Sequence, residues 1–205
     1  MMVHPTIATI ERRASANLFD ASQSVSDSEI EHLVRLATRA PTAYNLQNWR
    51  FIAVRSPEAK GRLRALAHGQ FKVEQAAVTF VICGALPNAA TLPDRLKPCV
   101  EGGYMPAGMP SAWQAAARAR YGDPRIARDE AVRSAALGAA TLIFAAEGLG
   151  FASGPMGGFD ADGVAREFAL EPDELPVMLV AVGRPAPGNW PQKPRRPLAE
   201  VLEFS

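Results

Sequence analysis

Apolar residues recur along the chain with helical spacing in some stretches and in short continuous runs in others. Behind the capping-box sequence Ser26-Asp27-Ser28-Glu29, apolar residues repeat every three or four positions as far as Pro41, which predicts a helix. A second, Ala-rich helix is predicted from about Asp129 to Leu149, with Gly150 as its stop. Its small residues would allow close approach of a neighbouring helix, as a central or dimer-interface helix requires.

Runs of β-branched and aromatic residues predict three short strands, which are Phe51–Val54, Val78–Cys83 and Pro176–Gly183. Ser56-Pro57 is a typical helix start, and Asp160 is a typical N-cap for a short helix as far as Phe168. Strands and helices do not alternate in regular β-α-β order. The pattern therefore predicts an α+β fold, a small sheet wrapped by helices, in a chain whose 205 residues suit one domain.

Prolines and glycines crowd the segment 87–110. Such residues interrupt regular structure, so this segment is predicted to be a loop or a lid rather than a helix or strand.

The composition excludes several classes of partner. A formal net charge of +1 creates no overall field that attracts nucleic acid or an anionic membrane, so an anion site would have to be local. The two cysteines and three histidines lack the spacing of a metal site, a disulfide framework or a catalytic triad. No apolar run has the length of a membrane span and no secretory signal is visible, so a cytoplasmic protein is expected. If the protein is an enzyme, a cofactor must supply the difficult chemistry.

Four segments carry groups that suit a ligand, and each has a simpler explanation. Arg12–Asn17 offers guanidinium and hydroxyl donors for a phosphate, or it is a solvated basic segment. Ala40–Trp49 presents amides that can read the edge of a heterocycle, or it is a turn anchored by a core tryptophan. Gly154–Asp160 lets backbone N–H groups approach a ligand, or it is a tight strand-to-helix turn. Lys193–Arg196 can hold a phosphate, or it solvates a C-terminal arm.

Taken together and in this order, the four segments resemble the motifs of the nitroreductase family of flavoproteins. Arg13-Ala14-Ser15-Ala16-Asn17 resembles the family's Arg-x-Ser-x-(Arg/Lys), and Ala40–Trp49 resembles its Ala-Pro-Ser-x-x-Asn-x-Gln-Pro-Trp. Pro155–Asp160 resembles Pro-(Ile/Met)-x-Gly-Phe-Asp, and Lys193-Pro194-Arg195 resembles Lys-x-Arg. Each motif is common by chance, but the ordered set is specific, and the similarity covers nearly the whole chain.

The resemblance implies a single nitroreductase-like domain over residues 1–205, with a small central mixed sheet surrounded by helices, in an interlocked homodimer that binds FMN at its interface. It implies that the ribityl phosphate end is held by Arg13, Ser15, Lys193 and Arg195, with Asn17 in the same segment. The flavin would be lined from the partner subunit by Pro41, Thr42, Ala43 and Asn45. Gln70 would contact ribityl or ring atoms, and the isoalloxazine would lie against Pro155, Met156, Gly157 and Gly158.

Three departures from the family pattern carry expectations of their own. Asn17 stands where the family has a second cation, so phosphate binding would rely more on Lys193 and Arg195. Asn48 replaces a proline, which should loosen the loop before Trp49. Gly157 stands where many relatives carry glutamate, which should change nicotinamide preference and hydride geometry. The form Gly-Pro-Met-x-Gly-Phe-Asp at residues 154–160 is similar to a subgroup that includes a malonic semialdehyde reductase and haloacid-locus proteins.

The resemblance implies an enzyme in which flavin N5 carries the hydride, no side chain is the catalytic group, and NAD(P)H is the co-substrate. A ping-pong reaction would reduce nitroaromatics, quinones or related small electrophiles, with segment 87–110, Tyr104 and Trp113 covering the flavin. Three alternatives stay open. They are a non-catalytic FMN store or sensor, an aldehyde reductase of the malonic semialdehyde type, and a structural dimer with decayed motifs.

Overall fold

A four-stranded antiparallel sheet forms the centre of the computed structural model, which describes residues 3–205. The strands are β1 (Trp49–Val54), β2 (Val78–Ala85), β3 (Ala152–Met156) and β4 (Glu174–Gly183). Their order across the sheet is β1-β2-β4-β3, and each neighbouring pair is antiparallel. β1 and β3 are therefore the edge strands. An edge strand tolerates a residue without an N–H group, which is why β3 can contain Pro155.

Helices cover both faces and one end of this sheet. They are α1 (Pro5–Arg12), α2 (Asp27–Ala37), α3 (Pro57–Leu66), α4 (Lys72–Gln75), α5 (Leu92–Glu101), α6 (Met109–Arg120), α7 (Pro124–Gly148) and α8 (Ala161–Glu167). Short 3-10 helices occupy Ala43–Asn45, Ala89–Thr91 and Leu198–Glu200.

Three predicted helix starts, at Ser26, Ser56 and Asp160, are confirmed by their capping bonds. At α2, the Ser26 hydroxyl accepts from the Glu29 amide at 3.3 Å, and the Glu29 carboxylate accepts from the Ser26 amide at 2.8 Å. Ser56 caps α3 through the Ala59 amide at 3.1 Å, and Asp160 caps α8 through an amide at 3.0 Å. These local bonds satisfy N–H groups that have no partner within the helix.

Two apolar cores lie on the two faces of the sheet. One joins Phe80 of β2 to Leu33 of α2 and Leu142 of α7. The other joins Val81, the next residue of β2, to Leu63 of α3 and the elements that follow it. Neighbouring residues of a strand point to opposite faces, so a continuous apolar run such as β2 supplies both cores.

The long helix α7 packs closely against the sheet because small residues face it. A Cβ atom on Gly84 of β2 would lie 2.2 Å from the carbonyl oxygen of Ala131 on α7. A Cβ atom on Gly138 would lie 3.1 Å from the ring of Phe51. Although α7 contains 25 residues, no helix formed by residues 3–205 is long and apolar enough to cross a membrane.

Three details of the predicted fold are corrected by the structure. The segment 87–110 contains α5 and the start of α6, because Pro93 and Pro110 stand in first turns, where a missing N–H costs nothing. α7 begins at Pro124, earlier than predicted. The sheet is antiparallel rather than mixed, and its one parallel contact among the described residues is the isolated bridge between Ser15 and Ser153.

Candidate functional site

The basic N-terminal segment lies along the edge strand β3. The Ala16 amide donates to the Ser153 carbonyl at 2.8 Å, beside the bridge that joins Ser15 to Ser153. A Cβ atom on Gly154 would lie 2.5 Å from the carbonyl oxygen of Ala16. Gly154 is therefore required for this close approach, which holds the Arg13–Asn17 segment in place.

Lys72, in the first turn of α4, adds a cation to this segment. Its aliphatic chain passes 3.4 Å from the Cβ position of Gly154, and its Nζ donates to Oδ1 of Asn17 at 3.2 Å. Partial burial lowers the pKa of Lys72 below its usual value, and the positive charge of Lys193 lowers it further. The fold thus holds Lys72 where a cation is electrostatically unfavourable.

The C-terminal segment completes this cationic cluster, which we define as Arg13, Lys72 and Lys193. Gln192 donates to the Arg13 carbonyl at 3.0 Å, which places Lys193 beside the N-terminal segment. Arg13 Nη1 donates to the Ser15 hydroxyl at 3.3 Å. Within residues 3–205, no ion pair joins the three cations to a carboxylate. The charge of the cluster is therefore available for an anionic ligand.

The turn between β3 and α8 leaves open space next to the cluster's supporting strand. A Cβ atom on Gly157 would meet nothing within 4 Å, and one on Gly158 would meet only the His68 ring, at 3.9 Å. Gln70 Nε2 donates to the Gly158 carbonyl at 3.0 Å. Met156 is buried in the core, so only its backbone can meet a ligand. Gly157 and Gly158 give the turn a surface without side chains, on which a flat ring could lie.

The second group of predicted site residues lies in the loop Pro41–Asn48, before β1. Thr42 accepts from the Gln47 amide at 3.0 Å, and Thr42, Ala43 and Asn45 are partly exposed. The predicted loosening at Asn48 is wrong. Asn48 is buried and its side-chain amide donates to the Ala85 carbonyl at 2.6 Å, so it fixes the end of the loop to β2.

The two groups lie at opposite edges of the sheet within one chain. The loop leads into β1 and the Gly157 turn follows β3, with β2 and β4 between these strands. Three interstrand spacings of about 4.8 Å separate the edges by about 14 Å. A single chain therefore does not bring Thr42, Ala43 and Asn45 to the Gly157–Gly158 turn.

The structure adds two residues to the predicted site and leaves one aside. Lys72 and Asn189 were not predicted. Asn189 accepts from the amides of Asn17 and Leu18 at 2.7 and 3.0 Å, which fixes the end of the basic segment. Arg195 is exposed and makes no hydrogen bond to the described residues. The sequence signal that could have identified Lys72 is its position, because it lies at a helix start two residues after the predicted site residue Gln70.

No metal site accompanies these groups: residues 3–205 contain no cluster of three His, Cys, Asp or Glu side chains that could hold a metal ion. The residues gathered here can hold an anion with a flat group beside it. They do not form an acid–base pair or a nucleophile with its activating base.

Comparison with known proteins finds similar sequences and structures over nearly the whole chain. The model of the nitroreductase family matches residues 10–184. The chain is 36% identical over 179 residues to an NADH dehydrogenase of Thermus thermophilus, covering 87% of this chain and 85% of the relative. It is 29% identical to the Bacillus subtilis protein named NAD(P)H nitroreductase YodC, covering 96% of each. A nitroreductase of Exiguobacterium sibiricum, solved in complex with FMN, superposes with a TM-score of 0.89 at 26% identity, over 100% of this chain and 99% of that one.

Proposed function

Because this chain belongs to the nitroreductase family, we propose that it is an FMN-dependent oxidoreductase that uses NAD(P)H to reduce small electrophiles. Relatives that match nearly their full length are named as NAD(P)H nitroreductases and an NADH dehydrogenase, and a structural relative holds FMN. We propose nitroaromatics, quinones and related flat acceptors as its substrates.

The observation that carries this proposal is the cationic cluster of Arg13, Lys72 and Lys193. Burial lowers the pKa of Lys72 and the nearby charge of Lys193 lowers it further, so holding these cations without a carboxylate is unfavourable in the free protein. A doubly charged phosphate would convert this repulsion into charge-assisted hydrogen bonds. The cluster therefore fits the phosphate end of FMN, with the Ser15 hydroxyl as a further donor. Lys72 stands beside Asn17 and supplies the cation that the segment itself lacks.

The turn at Gly157–Gly158 fits the ring end of the same ligand. FMN supplies hydride transfer between NAD(P)H and the acceptor, so the chain needs to bind and orient rather than to exchange protons. The two glycines leave the ring face free, and Gln70 fixes the turn by its bond to the Gly158 carbonyl. Backbone N–H groups of the turn would then orient the ring edge.

We propose that the site is completed by a second copy of the chain. Thr42, Ala43 and Asn45 lie at the far edge of the sheet in one chain, so only the corresponding loop of a partner subunit could line the flavin. An apolar groove between α1, α2 and α7 supports this arrangement, since its residues Ile10 and Phe144 are 52% and 37% exposed. Exposed apolar surface of this kind is typical of a subunit interface.

Acceptor specificity would reside in the α5–α6 region and its flanks, a proposal that keeps the lid function predicted for segment 87–110. Tyr104 is exposed and free to meet an acceptor. The ring centroid of Trp113 instead lies 5.8 Å from that of Tyr44, so Trp113 joins α6 to the loop before β1.

The experiment is a flavin-binding and reduction assay on the purified protein. The double variant Arg13→Ala/Lys193→Ala should bind FMN at least about 100-fold more weakly, because each charge-assisted contact contributes about 1.5–3 kcal/mol. Arg166→Ala/Lys97→Ala, which removes two exposed cations away from the cluster, is the matched control. Equal flavin affinity in both double variants would refute the phosphate assignment.

Anaerobic addition of NADH or NADPH then tests the enzymatic activity. Rapid loss of the visible flavin absorbance, followed by its return on addition of a quinone or nitroarene, is the expected result. A bound flavin that neither nucleotide reduces would identify a flavin store instead. Size-exclusion chromatography with light scattering tests the homodimer.

A further inference from the structure

The loop before β1 contains three residues with positive φ angles, a backbone conformation that residues other than glycine rarely adopt. Tyr44, Asn45 and Gln47 have φ angles of 52°, 53° and 46°, and none of them is glycine. Asparagine tolerates the left-handed region, whereas tyrosine and glutamine rarely adopt it. Such a loop persists only when surrounding structure holds it in place.

The bonds inside the loop do not by themselves explain this conformation. The Asn45 amide donates to the Thr42 carbonyl at 3.1 Å, and the Gln47 amide donates to the Thr42 hydroxyl at 3.0 Å. Both are short-range bonds of partly exposed groups, which water can replace. The stronger restraint must come from outside the loop.

That restraint is the ring of Tyr44, which is held by α6 and the residue that ends it. The Tyr44 ring makes edge contacts with Trp113 at 5.8 Å and 71° and with Tyr121 at 6.1 Å and 89°. Leu46 is buried in the same apolar cluster, next to Leu92 of α5. The α5–α6 region therefore packs directly on the loop through the partly buried Tyr44 and the buried Leu46, which flank Asn45.

We propose that Tyr44 is a positioning residue, through which the α5–α6 region holds Thr42, Ala43 and Asn45 in the conformation that lines the flavin of the partner subunit. This inference rests on the proposed function. It implies that the elements proposed to select the acceptor also set the affinity for the cofactor. The favourable energy of the aromatic contacts would offset the cost of holding three residues at positive φ. The loop would therefore have its binding conformation before the flavin arrives.

Three substitutions of Tyr44 separate this function from ordinary packing. Tyr44→Phe keeps the ring and should bind FMN as the wild type does. Tyr44→Ala removes the ring but keeps the disfavoured φ, and we expect a dissociation constant at least about tenfold higher. Tyr44→Gly removes the ring and also the penalty of a positive φ, so it should bind FMN more tightly than Tyr44→Ala. A simple packing function predicts the reverse order for the last two variants, because glycine is the more flexible residue.

Hydrogen exchange in FMN-free protein provides a readout that does not depend on the cofactor. The amides of residues 45–47 should exchange at least about tenfold faster in Tyr44→Ala than in the wild type and Tyr44→Phe. Trp113→Leu, which leaves Tyr44 in place but removes one edge contact, should have an intermediate effect and replaces Tyr44→Ala if that variant does not fold. Unchanged exchange in both variants would overturn the proposal.

The two measurements distinguish the proposal from the function on which it rests. A wild-type protein that binds no FMN would refute the proposed function, while the exchange rates would still decide whether Tyr44 holds the loop. A wild type that binds FMN, together with a Tyr44→Ala variant of equal affinity, would refute the positioning function alone.

Discussion

Replacing Lys72 by methionine should weaken flavin binding without destabilising the protein. The substitution keeps most of the apolar chain that passes Gly154 and removes only the charge. If Lys72 contributes one charge-assisted hydrogen bond to the phosphate, its loss costs about 1.5–3 kcal/mol, roughly 10- to 150-fold in the dissociation constant. Titration of flavin fluorescence with FMN-free protein measures this change.

The stability of the FMN-free protein should change little or increase. Lys72→Met loses one hydrogen bond to Asn17, but it relieves the burial of a charge and the repulsion from Lys193. The pKa of Lys72 is lowered in the folded state from its ordinary value of 10.5, so the unfolded chain binds the proton more tightly. Stability of the wild type relative to the variant should therefore rise as pH increases through the lowered pKa towards 10.5.

Lys60→Met is the matched control because this lysine is also partly buried but has a structural function. Its Nζ donates to the carbonyls of Glu74 and Ala76, both at 2.8 Å. Its removal should lower the free energy of unfolding by about 1.5–3 kcal/mol in urea denaturation, with an unchanged flavin affinity. If Lys72→Met raised the dissociation constant no more than Lys60→Met, or destabilised the protein as much, the assignment of Lys72 to the phosphate would be wrong.

Three other changes test the packing around the site. Gly84→Ala should lower the unfolding free energy by about 3 kcal/mol or more in urea denaturation, because its Cβ would lie 2.2 Å from the Ala131 carbonyl oxygen; a smaller loss would mean that α7 moves freely. Asn189→Ala should accelerate FMN dissociation in stopped-flow displacement, because its amide group holds the backbone of residues 17–18, and an unchanged rate would contradict this. Burial raises the pKa of Cys83 to about 12, helped by Glu174, so iodoacetamide at pH near 8 should alkylate it only after unfolding, as mass spectrometry would show.

Most of the fold could be predicted because its signals are local. The bonds of Ser26 and Asp160 at helix starts involve residues only three positions apart, and the apolar runs of β2 and β4 specify buried strands by themselves. The segment 87–110 was predicted wrongly because that prediction also used only local signals. Its prolines indicate a loop when they are counted. In the structure, Pro93 and Pro110 stand in the first turns of α5 and α6, and α5 accommodates Pro98 in its interior, so helices form that pack on Leu46.

The chemistry of the candidate site was predicted only where its residues form sequence motifs. Arg13, Ser15 and Lys193 belong to such motifs, and the structure brings their segments together through Gln192. Lys72 belongs to none of the predicted motifs and becomes significant only through its bond to Asn17. The expected effect of Asn48 failed because its buried bond to Ala85 joins residues 37 positions apart, a contact that no local pattern contains.

The sequence by itself determined three of the four strands and several of the helices, where some of those helices begin, and which family the motifs resemble. These properties depend on interactions within a few residues and on the two periods of the backbone. Only the tertiary structure decided that a lysine outside the motifs joins the cationic cluster, and that one chain keeps the two groups of predicted site residues at opposite edges of the sheet. Those properties arise from strand order and from contacts between distant segments. The same local patterns are compatible with several such arrangements, so they do not specify one.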